Sequence, residues 1–152
     1  MIPRLDARKI ASNDPDTIQA MREAATVTGF ATVYGTGISA DRVREILELY
    51  RTFFRLPESD KSAVDMAKTG ANRGWGASGS EQVDPDANPD YKQYFDSGFT
   101  LPSDDPRSRL DVYAPNQWPE KPAAFRPEIE SYYQQACDVA MGVLRGVAKA
   151  LY

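Results

Sequence analysis

The feature that most restricts the fold of this sequence is an amphipathic stripe between residues 43 and 54. Its apolar positions are Val43, Ile46, Leu47, Tyr50, Phe53 and Phe54, at offsets 0, 3, 4, 7, 10 and 11. This spacing puts all of them on one face of a helix, and that face has to be buried against other parts of the fold. Ser39 provides an N-cap and Pro57 ends the pattern, so the sequence predicts a helix over 39–56.

A β-branched segment and a glycine turn come directly before this helix. Residues 29–34 favour a strand, and Gly35 and Gly37 permit a tight reversal after it. The turn lacks the third glycine of a dinucleotide-binding loop, where Ala40 stands, and it lacks the lysine of a phosphate-binding loop. We therefore interpret it as a plain reversal. Another helix, capped by Asp14, precedes the strand, and together these elements favour an α+β fold with helices packed on a small sheet.

A long apolar stripe near the end of the chain predicts a second dominant helix that begins at about Pro127. Gly142 and Gly146 indicate a close backbone crossing on it, since glycine costs about 1 kcal/mol relative to alanine within a helix. The stripe runs to Leu151 without a glycine cap or a polar tail. We therefore expect the chain to be the front part of something longer, with apolar helix surface that a missing region or self-association would cover.

Composition excludes several classes of function. The 152 residues carry a formal net charge of -4 and a pI ≈ 4.9, which disfavours nucleic acid or an anionic membrane as a partner. There is no histidine, so Ser-His-Asp and Cys-His catalysis, imidazole zinc sites and the two-histidine iron site of non-haem oxygenases cannot be built from this sequence. No apolar segment is long enough to span a bilayer, and the N-terminus lacks a signal-peptide core. We therefore expect a cytoplasmic protein.

Residues suited to ligand binding concentrate in the glycine- and proline-rich region 66–121, which we expect to hold loops and two or three short strands. The segments 73–76 and 91–96 combine an arginine with aromatic side chains. Such an arginine can bind a carboxylate while an aromatic wall packs the ligand. The other interpretation is a strand pair with a core tryptophan and a surface arginine, and the residue types alone favour it. Strand alternation would place Tyr94 and Asp96 on one face.

Read in order, six segments resemble the motifs of one known family. They are IPRLD at 2–6, GFATVYGTGI at 29–38, FFRLP with a following lysine at 53–61, RGWG at 73–76, YKQYF at 91–95, and NQWP followed by FR and YY at 116–133. The corresponding family motifs are IPxID, GFFxVxNHGI, FFxLPxxxK, RGY, DxKExF and NxWPxxxxxFRxxxxxYY. They are typical of the N-terminal region of isopenicillin N synthase-like iron(II)/2-oxoglutarate-dependent dioxygenases. The sequence departs from them at Gly35-Thr36, where the family has Asn-His, and at Gln93, where it has glutamate.

The resemblance implies an α+β chain that is the N-terminal part of a double-stranded β-helix, or jelly-roll, oxygenase whose barrel is mostly absent from this sequence. It implies a dioxygenase N-terminal domain over 1–152. Within that domain we expect a strand and helix scaffold at 1–65, pocket-wall loops and strands at 66–121, and a long backbone helix at 122–152.

The resemblance also implies a division of the chemistry. In the family, iron(II) and 2-oxoglutarate are bound by residues further along, so this chain would supply no catalytic or metal-binding residue and is predicted to be inactive alone. It would contribute contacts to a small-molecule substrate, from Arg73, Trp75, Tyr94 and Asp96. The alternative is a stand-alone, non-catalytic interaction module derived from the same fold. The gene sequence past codon 152 would separate the two hypotheses.

Overall fold

The structure, a computed structural model, describes residues 1–69, 72–82, 86 and 88–152. The chain forms two compact units, the first made of Met1–Ile46 and Glu128–Tyr152 and the second of Leu47–Pro127. Each unit contains helices and a small two-stranded sheet, which confirms the predicted α+β class. Among the described residues, no helix combines the length and the apolar character required to cross a bilayer.

The regular elements are short except for two helices. The strands are β1 (Arg4–Asp6), β2 (Thr32–Tyr34), β3 (Gly74–Gly76) and β4 (Tyr94–Asp96). The α-helices are α1 (Ala7–Ala11), α2 (Pro15–Glu23), α3 (Ala40–Phe54), α4 (Glu58–Lys61), α5 (Met66–Thr69) and α6 (Phe125–Leu151). A π-helical turn at Ala24–Thr28 follows α2, and 3-10 turns lie at Ser62–Val64, Pro106–Arg109 and Asp111–Tyr113. Of the predicted pocket-wall region 66–121, residues 70, 71, 83–85 and 87 lie outside the described residues.

Helix caps in the first unit form where the sequence predicts them. The Asp14 carboxylate accepts a hydrogen bond from a backbone N–H in the first turn of α2, at 3.0 Å. The Ser39 hydroxyl accepts one from the first turn of α3, also at 3.0 Å. Both bonds satisfy N–H groups that have no partner within their own helix. Of the strand predicted at 29–34, the structure forms Thr32–Tyr34 as β2, which pairs in parallel with β1, while Gly29 ends the preceding π-helical turn.

The core of the first unit lies where α6 meets α1 and α2. Its buried apolar side chains are Leu5, Ile10, Met21 and Ala150, with Val33, Val143 and Val147 packed against them. Gly146 permits this approach, because a Cβ there would lie 2.5 Å from Ile10 Cγ2 and 3.0 Å from Met21 Sδ. The close crossing predicted at Gly146 is confirmed. The one predicted at Gly142 is wrong, because a Cβ at that glycine would meet no described atom within 4 Å.

Asp6 and Arg8 link β1 to α1 in the same unit. The Asp6 carboxylate accepts hydrogen bonds from the backbone N–H of Arg8 at 2.9 Å and from its guanidinium at 2.9 and 2.6 Å. The hydrogen-bonded Arg8 guanidinium holds the pKa of the Asp6 carboxyl at about 2, well below its ordinary value. The ionised carboxylate therefore acts as the N-cap of α1.

Part of α6 is apolar and open to solvent. Met141 is 48% exposed and Leu144 is 59% exposed, which agrees with the expectation that the long helix carries exposed apolar surface. A groove of about 650 Å³ lies between α1, the turn at 36–39 and α6. Its wall includes Arg42, whose guanidinium binds the Glu128 carboxylate at 2.6 Å.

The second unit is organised around an aromatic cluster. Its members are Tyr50, Phe53, Phe54, Phe95, Trp118 and Phe125, with neighbouring ring centroids 4.9 to 6.4 Å apart. Phe53 and Phe125 are completely buried. Phe95 belongs to β4, so the cluster anchors the antiparallel strand pair β3–β4. Edge-to-face contacts of this kind add to the gain from burying the rings.

Candidate substrate-binding face

The strand pair β3–β4 has two faces with different surroundings. Trp75 lies directly opposite Phe95, and Phe95 contacts the aromatic cluster, so this face is closed by the core of the unit. Strand alternation directs Tyr94 and Asp96 to the other side. We call that side, defined by Tyr94 and Asp96, the open face. The structure therefore confirms that these two predicted site residues share one face of a strand.

A glycine on the neighbouring strand positions the Tyr94 ring. Gly76 pairs with Tyr94 across the sheet, and a Cβ on Gly76 would overlap the tyrosine ring. The ring therefore occupies the space beside Gly76, where any larger residue would displace it. The hydroxyl groups of Ser80 and Tyr94 are 3.5 Å apart, so Ser80 can donate a hydrogen bond to the phenol oxygen.

Arg73 lies at the end of the open face, next to Gly98. Its guanidinium donates from Nη1 to the Asn72 carbonyl at 2.7 Å and from Nη2 to the Val112 carbonyl at 2.8 Å. Its Nε is buried and has no hydrogen-bond partner in the described part of the chain. Among the side chains that the structure describes, which exclude that of Asp111, no carboxylate lies within 4.0 Å of the guanidinium. The positive charge of Arg73 is thus held by neutral carbonyl groups, an arrangement suited to an anionic ligand.

Trp75 has a different environment from the other three predicted site residues. Its side chain is buried, and the indole N–H donates to Gln93 Oε1 at 3.1 Å. The same oxygen accepts from Lys61 Nζ at 2.8 Å, and Lys61 also donates to the Phe54 carbonyl at 3.0 Å. The Lys61 ammonium lies 5.2 Å from the centre of the Trp75 ring. Trp75 therefore supports the strand pair from its closed side.

The structure thus brings three of the four predicted residues into one region and separates the fourth. Tyr94 and Asp96 share the open face, Arg73 borders it, and Trp75 lies on the opposite face of the strand pair. Sequence reasoning missed Lys61 as a buried member of this unit, with 5% of its surface exposed. The family motif that ends in lysine was the signal that pointed to it.

Comparison with known proteins identifies the family. The family model described as "non-haem dioxygenase in morphine synthesis N-terminal" matches residues 2–121. The chain belongs to this dioxygenase family. The predicted resemblance to the N-terminal region of iron(II)/2-oxoglutarate-dependent dioxygenases is confirmed.

Two curated relatives show how far the likeness extends. The dioxygenase-family chain is 31% identical over 140 residues to a 2-oxoglutarate-dependent dioxygenase of Didymella fabae, which covers 88% of the chain and 42% of that protein. It is 29% identical over 146 residues to homoarginine-6-hydroxylase 2-ODD-C23.1 of Arabidopsis thaliana, which covers 90% of the chain and 41% of that protein. The chain therefore spans about two fifths of the length of these relatives.

Solved structures share the fold of this dioxygenase-family chain. A Caulobacter crescentus protein assigned to the 2OG-Fe(II) oxygenase family superposes with a TM-score of 0.83 at 22% identity, over 99% of the chain and 48% of that protein. A full-length Neurospora crassa protein, solved in complex with alpha-KG and thymine, superposes with a TM-score of 0.75 at 24% identity, over 98% of the chain and 48% of that protein. The chain therefore has the fold of about half of each of these two structures.

Proposed function

We propose that this chain is the N-terminal scaffold and substrate-pocket portion of a non-haem iron(II)/2-oxoglutarate-dependent oxygenase that acts on a small molecule. The family match over residues 2–121 carries the proposal. The chain covers 42% and 41% of two curated relatives, which supports a catalytic half outside this sequence. We place the jelly-roll barrel of the isopenicillin N synthase-like type, with its iron and 2-oxoglutarate sites, in that half.

The described residues do not fit an iron site. Within them, no three His, Cys, Asp or Glu side chains cluster closely enough to hold a metal ion. The sequence also contains no histidine, so a site of two histidines and one carboxylate cannot be formed from it. In the proposed enzyme, iron and 2-oxoglutarate supply the oxidising chemistry from residues outside this chain, and the present residues bind and orient the substrate.

Each of the four predicted site residues has a distinct role in this proposal. Arg73 pairs with an anionic group of the substrate, because its described partners are carbonyl oxygens that leave its charge uncompensated. Tyr94 offers an aromatic wall fixed over β3, and Asp96 offers a carboxylate acceptor two residues further along. Trp75 acts from the closed side as a support for the strands. The predicted division into scaffold (1–65), pocket wall (66–121) and long helix (122–152) is part of the same proposal.

The test uses the complete reading frame that contains this sequence. Purified with iron(II) and supplied with O2, the whole protein is expected to convert 2-oxoglutarate to succinate and CO2, and a substrate screen on succinate release supplies a kinetic assay. Arg73→Ala is then expected to raise KM for the substrate more than it lowers kcat, because it removes a binding contact. Arg109→Ala, which removes an exposed arginine from a 3-10 turn, is the matched control.

Two results would contradict the proposal. A complete protein that consumes no 2-oxoglutarate with iron(II) present would remove the enzymatic function. Unchanged KM and kcat in Arg73→Ala for every accepted substrate would remove Arg73 from the pocket. A reading frame that stops at residue 152 would instead favour the non-catalytic interaction module, for which the exposed Met141 and Leu144 of α6 offer a contact surface.

A further inference from the structure

Gly98 forms the surface on which the Arg73 guanidinium rests. A Cβ built on Gly98 would lie 2.5 Å from Arg73 Nη2, 2.7 Å from Cζ and 2.9 Å from Nε. All three distances are shorter than van der Waals contact, so the guanidinium occupies the space that any side chain at this position would take. The φ of Gly98 is not in the left-handed region. Arg73, and not the backbone conformation, is therefore the reason for glycine here.

Asn116 holds Gly98 by both of its backbone groups. The Gly98 N–H donates to Asn116 Oδ1 at 2.8 Å, and Asn116 Nδ2 donates to the Gly98 carbonyl at 2.8 Å. Nδ2 also donates to the Thr100 hydroxyl at 3.0 Å. The Asn116 carboxamide contains both an acceptor and a donor, so it can bind the N–H and the carbonyl of Gly98 at the same time. In a β-sheet, a neighbouring strand would supply these two hydrogen bonds. This fixes the segment at 98–100 after β4 ends.

We propose that Asn116 and Gly98 are positioning residues for Arg73. Asn116 fixes the Gly98 backbone, Gly98 carries the flat side of the guanidinium, and the Val112 carbonyl fixes its Nη2 edge at 2.8 Å. Long arginine side chains lose much rotamer freedom when they bind, and a guanidinium held before binding avoids part of that loss. The inference rests on the proposed function, in which Arg73 binds an anionic group of the substrate.

The variant Gly98→Ala tests the arrangement in the 152-residue chain. The added methyl meets the far end of a flexible side chain, so the chain is expected to fold while the guanidinium moves off its support. The readout is the Arg73 Nε–Hε signal in a ¹⁵N-labelled NMR spectrum, assigned by its loss in Arg73→Lys. Because Nε is buried, its proton is expected to exchange slowly with water in the wild type and at least about tenfold faster in Gly98→Ala.

Two further variants make the test specific. Asn116→Ala keeps Gly98 but removes its hydrogen bonds, and it is expected to speed the same exchange in the same direction. Gly142→Ala adds a methyl that meets no described atom within 4 Å, and it is expected to leave the Arg73 signal unchanged. A folded Gly98→Ala or Asn116→Ala chain with wild-type shift and exchange at Arg73 Nε–Hε would overturn the inference.

An acetate titration separates this inference from the proposed function. Acetate serves as the carboxylate probe, and the Arg73 signal of the wild type is expected to shift saturably, with several-fold weaker apparent affinity in Gly98→Ala. If acetate does not shift the wild-type Arg73 signal, Arg73 does not bind anions, and the proposed contact between Arg73 and the substrate is excluded. The exchange measurements still decide whether Gly98 and Asn116 position the side chain.

Discussion

Lys61, Trp75 and Gln93 form a hydrogen-bonded group beside the strand pair β3–β4. We predict that removing the acceptor of this group destabilises the chain more than removing its charged donor. Gln93 Oε1 accepts two hydrogen bonds, from Lys61 Nζ at 2.8 Å and from Trp75 Nε1 at 3.1 Å. Both donors belong to buried residues. Gln93 itself is exposed, and replacing it with leucine leaves both donors without this acceptor and the Lys61 ammonium with one hydrogen bond fewer.

The expected losses in unfolding free energy differ between Gln93→Leu, Lys61→Met and the double variant. A buried donor that is left unpaired costs about 1–3 kcal/mol, and more when the donor is charged. Lys61 keeps the Phe54 carbonyl and the Trp75 ring in Gln93→Leu, and position 93 is exposed to water, so we expect a total loss of about 2–4 kcal/mol. Lys61→Met removes the charge itself and leaves Gln93 bound to Trp75, so we expect only about 1–2 kcal/mol. The double variant is expected to be more stable than Gln93→Leu alone, because it no longer buries an ammonium group.

Urea unfolding of the 152-residue chain, followed by circular dichroism and tryptophan fluorescence, measures these differences as shifts in the midpoint at constant slope. Gln135→Leu, an exposed glutamine on α6, is the control and is expected to stay within about 0.5 kcal/mol of the wild type. Greater destabilisation of Lys61→Met than of Gln93→Leu would refute this prediction. A double variant whose loss of stability equals the sum of the two single losses would also refute it, because the coupling between Lys61 and Gln93 would then be absent.

Two other predictions concern the first unit. The pKa of Asp6 is lowered to about 2 by the Arg8 guanidinium, so its contribution to stability is present above about pH 4 and lost as the pH falls toward 2. In Asp6→Asn, the thermal midpoint should therefore decrease less than in the wild type when the pH is lowered from about 4 to about 2. An equal decrease in both proteins would contradict this. Gly146→Ala should cost about 1–3 kcal/mol, because its Cβ would lie 2.5 Å from Ile10 Cγ2, whereas Gly142→Ala should stabilise the chain by up to about 1 kcal/mol. Equal urea midpoints for the two alanine variants would refute this contrast.

Helix α3 shows what local sequence can predict. The stripe from residue 43 to residue 54 specifies a helix whatever surrounds it, because its apolar spacing, its Ser39 cap and the following Pro57 act within a few residues. The structure confirms this helix and buries Ile46 and Phe53, while Leu47 from the same stripe is half exposed. Which members of an apolar face are covered depends on elements distant in sequence, and periodicity carries no information on them.

The strand pair shows where prediction stops. Alternation within 91–96 correctly grouped Tyr94 with Asp96, since that grouping needs only the period of a strand. The position of Trp75 depends on the register between two strands about twenty residues apart, in which it lies opposite Phe95. Gly74 adds to the difficulty, because its φ of +105° interrupts the extended conformation between Arg73 and Trp75. Arg73 and Trp75 therefore point to different surroundings although only one residue separates them.

The departures from the family motif have physical consequences that the structure makes visible. At Gly35, where the family has asparagine, a Cβ would lie 2.7 Å from Asp6 Oδ1 and 3.1 Å from Arg8 Nε. The backbone there has φ +68°, which asparagine tolerates, so conformation alone does not require glycine. The ion pair of Asp6 and Arg8 occupies the space beside the turn, so a side chain at position 35 would displace these two side chains. The substitution of glycine for asparagine at position 35 and the Asp6–Arg8 ion pair are therefore linked. Glycine has no side chain in the turn, and the space it leaves is occupied by Asp6, the N-cap of α1, and by Arg8.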